Sequence, residues 1–320
     1  MLILFNYLCF QKVRPTVIVT ITLGLFFVLG LQSDAHARET VRKRSPERIS
    51  QAEGRTFIEN FRRQRLQGDY CFKFVLEHLP RRGKTIRYKG TVWGSWNEKG
   101  PISRFVLDPP DSNTGMDSNS SNYKENAQHL EWIVQNGVDA QVWTRSQSGE
   151  PFKIVSEADL WKPLFEGVLY RPFDLLMPFI YWSDWDYKGP KVIGSRVVQE
   201  FCMYPPKEPD AKNEADETNL APSKMHAVKV SLDNDYNALL RIEILDAKEN
   251  ALTRFDVESF KKVSGQYIVK RITLSEEATG NRTRFRVYSA AVNLDFLPSI
   301  FDPKNTDEIC FLSEENFSEL

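Results

Sequence analysis

From about residue 225 to residue 292 the chain repeats one unit. A run of eight to eleven residues alternates apolar and polar side chains, and a short polar turn follows. The runs lie at about 225–232, 238–246, 252–262, 266–276 and 282–292, and DNDYN, DAKEN, VSG and EATGN join them. Successive side chains of a strand point to opposite faces, so alternation over this length means a sheet with one buried face. Connections this short leave no room for a crossover, so neighbouring runs must pair antiparallel. The chain is thereby committed to a long meander whose apolar face has to curl over or be covered.

The same period governs an earlier stretch. In DYCFKFVLEHL, Tyr70, Phe72, Phe74 and Leu76 alternate with Cys71, Lys73, Val75 and Glu77. In IRYKGTVWGSW, Ile86, Tyr88, Val92 and Trp96 alternate with Arg87, Lys89 and Thr91, and RRGKT between the two runs reads as a hairpin turn. Further strands are expected at 102–108, 129–135, 139–145 and 192–204, which brings the total to ten or eleven. A helix is expected to start at Ser45-Pro46-Glu47, to show one apolar face through Phe57, Ile58, Phe61 and Leu66, and to stop at Gly68. The segment 156–187 breaks the strand rhythm. Ser156 opens a helix start in SEADLWKPLF, and RPFDLLMPFIYW holds a second short helix limited by Pro178. The resulting fold class is mainly β (α+β): a curved antiparallel sheet forming an incomplete β-barrel with covering helices.

The ends and insertions set the organisation. Lys12 and Arg14 precede the apolar run Thr16–Leu31, and Ala35-His36-Ala37 follows it. A positive start, an apolar centre and a small-x-small end describe a secretory signal peptide over 1–37, and the run is shorter than the roughly 20 residues that span a bilayer. An uncleaved inner-membrane anchor is the alternative. A basic leader follows at 38–44, then the barrel domain at 45–303 with polar insertions at 108–128 and 205–224, and a tail at 304–320. The chain has 42 Lys plus Arg against 43 Asp plus Glu, so its formal net charge of −1 gives no electrostatic basis for binding nucleic acid. An exported chain meets an oxidising compartment, so a disulfide between Cys71 and Cys202 is expected, both lying in strands. No metal-ligand spacing, phosphate-binding loop or nucleophile elbow occurs, and no cofactor is expected.

VSLDNDYNALLRIEILDAKENALTRFDVESFKKVSGQYIVKRITL and the ending AAVNLDFLPSIFDP resemble the outer-membrane lipoprotein-sorting family, the LolA/LolB-like superfamily of periplasmic carriers and their sensor relatives. Asp233 opens what looks like the family's strand–Asp–turn–Leu hairpin, Leu239 to Leu245 its return strand, and Asn293 to Phe301 its closing segment. YRPFDLLMPFIYWSDWDYKG is similar to a helix-then-aromatic piece of large family members. The resemblance implies an open barrel whose concave apolar cavity accepts lipid or lipoprotein acyl chains in the periplasm. It also implies an alternative: an envelope sensor or adaptor of the same fold that meets a membrane-protein partner.

The candidate cavity and lid residues are Phe72, Phe74, Tyr88, Trp96, Trp132, Trp143, Leu176, Phe179, Tyr181 and Trp182. Each has a plainer reading beside it: ordinary sheet packing for the strand aromatics, and a helix seated permanently in the barrel mouth for residues 176–182. Trp93 falls on the face opposite Trp96. Asp184 and Asp186, at i and i+2, would share a face and are the only paired carboxylates that invite a hydrolase reading, against the plainer one of turn formers. A transmembrane barrel is disfavoured by the Lys, Arg and Glu on the polar strand faces. Chemistry carried by acid, base or nucleophile is therefore the lesser expectation, and binding of an apolar ligand the greater.

Overall fold

In a computed structural model, residues 47–108, 130–165, 167–206, 225–305 and 312–320 are described. The signal segment, the basic leader, nearly all of both polar insertions and Cys310 lie outside the described residues. The strands are β1 (Asp69–Leu79), β2 (Ile86–Asn97), β3 (Gly100–Leu107), β4 (Leu130–Gln135), β5 (Gln141–Arg145), β6 (Lys153–Ile154), β7 (Trp185–Ile193), β8 (Arg196–Met203), β9 (Ala227–Asp233), β10 (Leu239–Leu245), β11 (Ala251–Val263), β12 (Gln266–Glu276), β13 (Arg282–Leu294) and β14 (Ser318–Glu319). They form one antiparallel sheet in the order β6-β5-β4-β3-β2-β1-β13-β12-β11-β10-β9-β8-β7, with β14 attached to β13.

That order is two meanders fused back to back. Within β1–β6 and within β7–β13 every strand pairs with its sequence neighbour, and the one long-range pairing is β1 with β13, Phe72 opposite Ala290 and Leu76 opposite Phe285. The sheet stays open, because its edges β6 and β7 do not pair with each other. The chain between those two edges, residues 155–184, must cross from one side of the open barrel to the other, and it crosses on the concave side.

Fourteen strands stand where ten or eleven were expected. The two-residue β6 and β14 are too short to show a period. The run expected at 192–204 is the end of β7, a turn at Gly194-Ser195 and all of β8. β7 escaped notice because Asp186, Gly189 and Pro190 interrupt its alternation, and an edge strand tolerates all three. The helix also starts later than expected. Helix α1 covers Gln51–Arg63, and Ser50 caps it: the Ser50 hydroxyl accepts from the Glu53 N–H while the Glu53 carboxylate accepts from the Ser50 N–H. This capping box, Ser-x-x-Glu, lies four residues beyond Pro46, so the proline precedes the helix instead of opening it.

The alternation in β1 and β2 sorts as read. Tyr70, Phe72, Phe74, Leu76 and Val92 are buried in the main core on the concave face, with Ile58 and Phe61 of α1. The turned-away faces differ around the sheet. Over β1–β5, Cys71, Trp93, Ile102 and Ile133 form a second, convex core, roofed by Phe296, Ile300, Phe301, Leu312 and Phe317. The residues 312–320 are thus part of the fold, and β14 pins them by pairing Ser289 with Glu319. Over β8–β12 the convex face carries crossed charges instead, Lys229–Glu243 at 2.8 Å, Glu243–Arg254 at 3.0 Å and Arg241–Asp256 at 2.6 Å. Such a face belongs in water. Among the described residues no helix is long and apolar enough to cross a membrane.

Candidate functional site: the covered hollow

The concave face is the site that the fold builds. From 155 to 184 the chain forms a cover over it. A 3-10 turn at Glu157–Asp159 leads in, helix α2 follows at Pro172–Leu176, and a second 3-10 turn spans Pro178–Tyr181. Met177 sits between the last two with φ 45°, a left-handed conformation that a non-glycine residue adopts only under constraint. Here the constraint is the reversal before Pro178, which also drives the Met177 side chain inward, where it is 1 % exposed.

The cover packs through rings. Trp161 stacks on Phe173 at 3.9 Å, Phe165 meets Tyr88 edge-on at 4.7 Å, Phe173 lies 5.9 Å from Phe179, and Tyr170 lies 6.4 Å from Phe255. Phe105 stacked on Trp132 at 4.7 Å continues the cluster across β3 and β4. Yet the cover shares no backbone ladder with the sheet. Between Ser156 and Trp182 the described backbone hydrogen bonds stay within the cover, such as Phe173 N–H to Leu160 C=O at 2.9 Å and Leu164 N–H to Tyr170 C=O at 2.8 Å. Arg171 and Asp174 pair inside it through two contacts of 2.9 and 3.0 Å. Burial works against the Arg171 charge, but the Asp174 carboxylate outweighs it, so its pKa is raised.

Among the described hydrogen bonds, three side chains fasten the cover to the frame. The Asn136 amide donates to the carbonyls of Leu175 and Leu176 at 3.2 and 3.1 Å. The Thr283 hydroxyl accepts the Leu169 N–H at 3.1 Å and contacts His78 Nδ1 at 3.3 Å. The Arg62 guanidinium donates to the Ile180 carbonyl. None of these three had a sequence signal, because each acts across a chain separation that only the closed sheet brings together.

The hollow is full. The space left between the cover and Ile242, Ile244, Phe255 and Leu274 is about 10 Å³ for the centre of a water molecule, room for about one water and no chain. Of the ten candidates, Phe72, Phe74, Trp132, Leu176 and Phe179 are buried in this core, and Tyr88, Trp96, Tyr181 and Trp182 pack against it half-buried. Trp143 does not belong with them. It packs in the convex core, because its register partner Ile133 faces outward while Trp132 faces in. Sequence reading passed over Trp161, Phe165 and Tyr170, which lie in a stretch read only for its helix starts.

The expected disulfide is absent. Cys71 and Cys202 are both free and buried, Cys71 under the convex core and Cys202 in a separate small cluster with Ala227 and Leu245. Both cysteines lie in strands as expected, but β1 and β8 stand six strands apart in the sheet. Burial pushes the Cys71 thiol up to about 12, with Lys73 opposing, and burial also raises Cys202. Asp184 and Asp186 are exposed. Asp186 accepts from the Tyr204 hydroxyl at 3.1 Å and lies 3.6 Å from Lys188, and neither aspartate lines a described cavity. Among the described residues no three His, Cys, Asp or Glu side chains converge as metal ligands would.

No protein-family model matches the chain, and no curated protein matches it. Solved structures do match in shape. A domain from Vibrio parahaemolyticus described as an outer-membrane lipoprotein-sorting protein superposes with a TM-score of 0.56 at 15% identity, over 73% of this chain and 89% of that one. A DUF1329 family protein from Desulfovibrio piger gives 0.55 at 13% identity, over 74% and 90%. A LolA superfamily protein from Nitrosomonas europaea covers the same shares at 12% identity with a TM-score of 0.47. The chain shares its fold with the Vibrio and Desulfovibrio proteins, and that fold is the expected one: an open antiparallel barrel with few helices.

Proposed function

We propose that this chain is an exported, periplasmic binder of apolar chains, lipid or the acyl groups of lipoproteins, and that the 155–184 cover occupies the binding hollow when no ligand is present. One observation carries the reading. The main core lies between a continuous sheet and a segment joined to it by single backbone hydrogen bonds at its two ends, Val155 N–H to Val142 C=O and Tyr204 N–H to Asp184 C=O; between Ser156 and Trp182 the described contacts with the sheet are made by side chains, with no backbone ladder. Such a segment can leave as a unit without breaking the sheet. An acyl chain taking its place gains about 0.8 kcal/mol per methylene removed from water. Lipid analysis of protein purified from its own compartment tests this: co-purifying lipid or lipopeptide supports it. Protein that is always empty and refuses an acylated probe contradicts it.

The tight packing beneath the cover favours a second reading, an envelope adaptor of the same fold that meets a protein partner. While the cover is seated, the space beneath Met177 and Phe179 has room for about one water and no acyl chain. Pull-down from an envelope extract separates the two readings, since an adaptor retains a stoichiometric partner and a carrier does not.

A further inference from the structure

At one rim of the sheet lies a notch that the cover does not line. β9 and β10 are joined tightly, while the hairpins on either side overhang them. Val198 pairs with Asp233, which leaves Arg196 and Val197 beyond the end of β9, and Arg241 pairs with Asp256, which leaves 259–263 beyond the start of β10. Between the overhangs is an open cavity of about 410 Å³, with Ser195 and Arg196 on one wall, Phe260 and Tyr267 on the other, and Leu240 and Val257 among its lining. A recess of about 80 Å³ beside Arg196 adds Tyr236.

We propose that this notch binds the anionic head of a single-chain amphiphile, a phosphate or carboxylate at Arg196, with its first methylenes along Leu240, Val257 and Phe260. The proposal rests on the reading of the hollow as an acyl-chain site. The Arg196 guanidinium is held in place: Nη1 donates to Asp233 at 2.9 Å, and the group lies 5.7 Å from the Tyr236 ring centre and 5.9 Å from that of Phe260. Guanidinium carries five N–H donors in a planar fork, and the Arg196 side chain, 43% exposed, lines both the cavity and the recess. Lys262 brings a second cation, 5.8 Å from the Tyr267 ring centre. Two carboxylates share the notch, and both are engaged: Asp256 by Arg241 at 2.6 Å, and Glu258 by Thr273 at 2.6 Å and Arg271 at 3.7 Å. Leu240 and Val257 are buried, and Val257 and Phe260 also belong to or pack on the concave core. A chain whose head sits at Arg196 therefore lies against the same wall that lines the hollow.

Calorimetric titration of the full exported chain with dodecyl phosphate, dodecyl maltoside and inorganic phosphate, each below its micelle concentration where one exists, tests this. Dodecyl phosphate is expected to bind at least tenfold more tightly than the maltoside, and inorganic phosphate not measurably. Arg196→Gln is expected to weaken dodecyl phosphate about 10- to 100-fold, the loss of a charge-assisted contact, and to leave the maltoside unchanged. Tyr267→Glu sets a carboxylate on an exposed position of the same wall and is expected to act in the same direction, which keeps the test decisive if Arg196→Gln does not fold. Equal binding of the two dodecyl ligands, unmoved by either variant, overturns the notch and leaves the hollow standing. Inorganic phosphate binding as tightly as dodecyl phosphate overturns the amphiphile. Failure of both dodecyl ligands overturns the acyl-chain reading and the notch with it.

Discussion

Arg62 Nε donates to the Ile180 carbonyl at 2.7 Å, and the Arg62 guanidinium lies 5.4 Å from the centre of the Tyr181 ring. One side chain in the last turn of α1 thus holds the far end of the cover, so the two helical pieces that close the barrel are latched to each other as well as to the sheet. Arg62→Ala leaves a half-buried carbonyl without that donor. It is expected to lower stability by about 1–3 kcal/mol in urea titration and to raise the exchange of amides in 177–182 before the strands unfold. An unchanged exchange pattern in those residues speaks against a latch.

The strand pairing makes a second expectation. Tyr70 lies across from Gly94, and a Cβ built on Gly94 falls 2.0 Å from Tyr70 Cζ. The glycine is there because the ring occupies its place. Gly94→Ala is expected to cost about 1–3 kcal/mol, as overpacking does in a filled core. In the Tyr70→Ala background the same change should cost far less. Additive effects in that double-mutant cycle would show that the two positions do not compete for space.

His78 gives the cover a pH dependence. It is 8% exposed, and burial pushes its pKa below the ordinary histidine value. Its Nδ1 faces the Thr283 hydroxyl that accepts the Leu169 N–H, an arrangement suited to a neutral ring accepting from threonine. The unfolded chain binds the proton more readily than the folded one, so this group's contribution is intact above about pH 6.5 and is lost as pH falls below it. Thermal melts from pH 7.5 to 5 should show a decline that His78→Gln flattens. A decline of equal slope in the variant assigns the effect to other groups.

On the convex side, Glu131 lies between Arg104 and Arg145, all three side chains at most 2% exposed, and Phe152 packs beneath both guanidinium groups. Arg104 also donates to the Ile300 carbonyl at 2.8 Å, which fastens the C-terminal roof. Removing one member of a buried ion group leaves charge behind in a dry place. Glu131→Gln is expected to cost about 3–5 kcal/mol and to loosen 296–301, read as increased proteolysis there. A loss below about 1 kcal/mol would mean that water reaches the triad.

The sheet was legible because period 2 survives in β1, β2 and β9–β13, where one face is continuously apolar and the other mixes in charged residues. It faded in β7, an edge strand whose Gly189 and Pro190 need no neighbour on one side. Most of the concave aromatics followed from face alone, and Trp143 did not, since a sheet covered on both sides has aromatics on both. How this segment sits was beyond the sequence: PFDLLMPFIYW reads equally well as a lid standing open and as a plug, and in the structure it is seated against Ile242, Phe255 and Leu274. The disulfide expectation failed for a similar reason, because assigning two cysteines to strands leaves the distance between those strands around the sheet open.

Hydrogen exchange of the purified chain with and without a stoichiometric acylated peptide measures the central claim directly. The account predicts that the peptide binds, that amides of 168–182 lose protection as the cover leaves, and that β1 and β13 keep theirs. Binding with the cover's protection unchanged, or no binding at any concentration below aggregation, would contradict it.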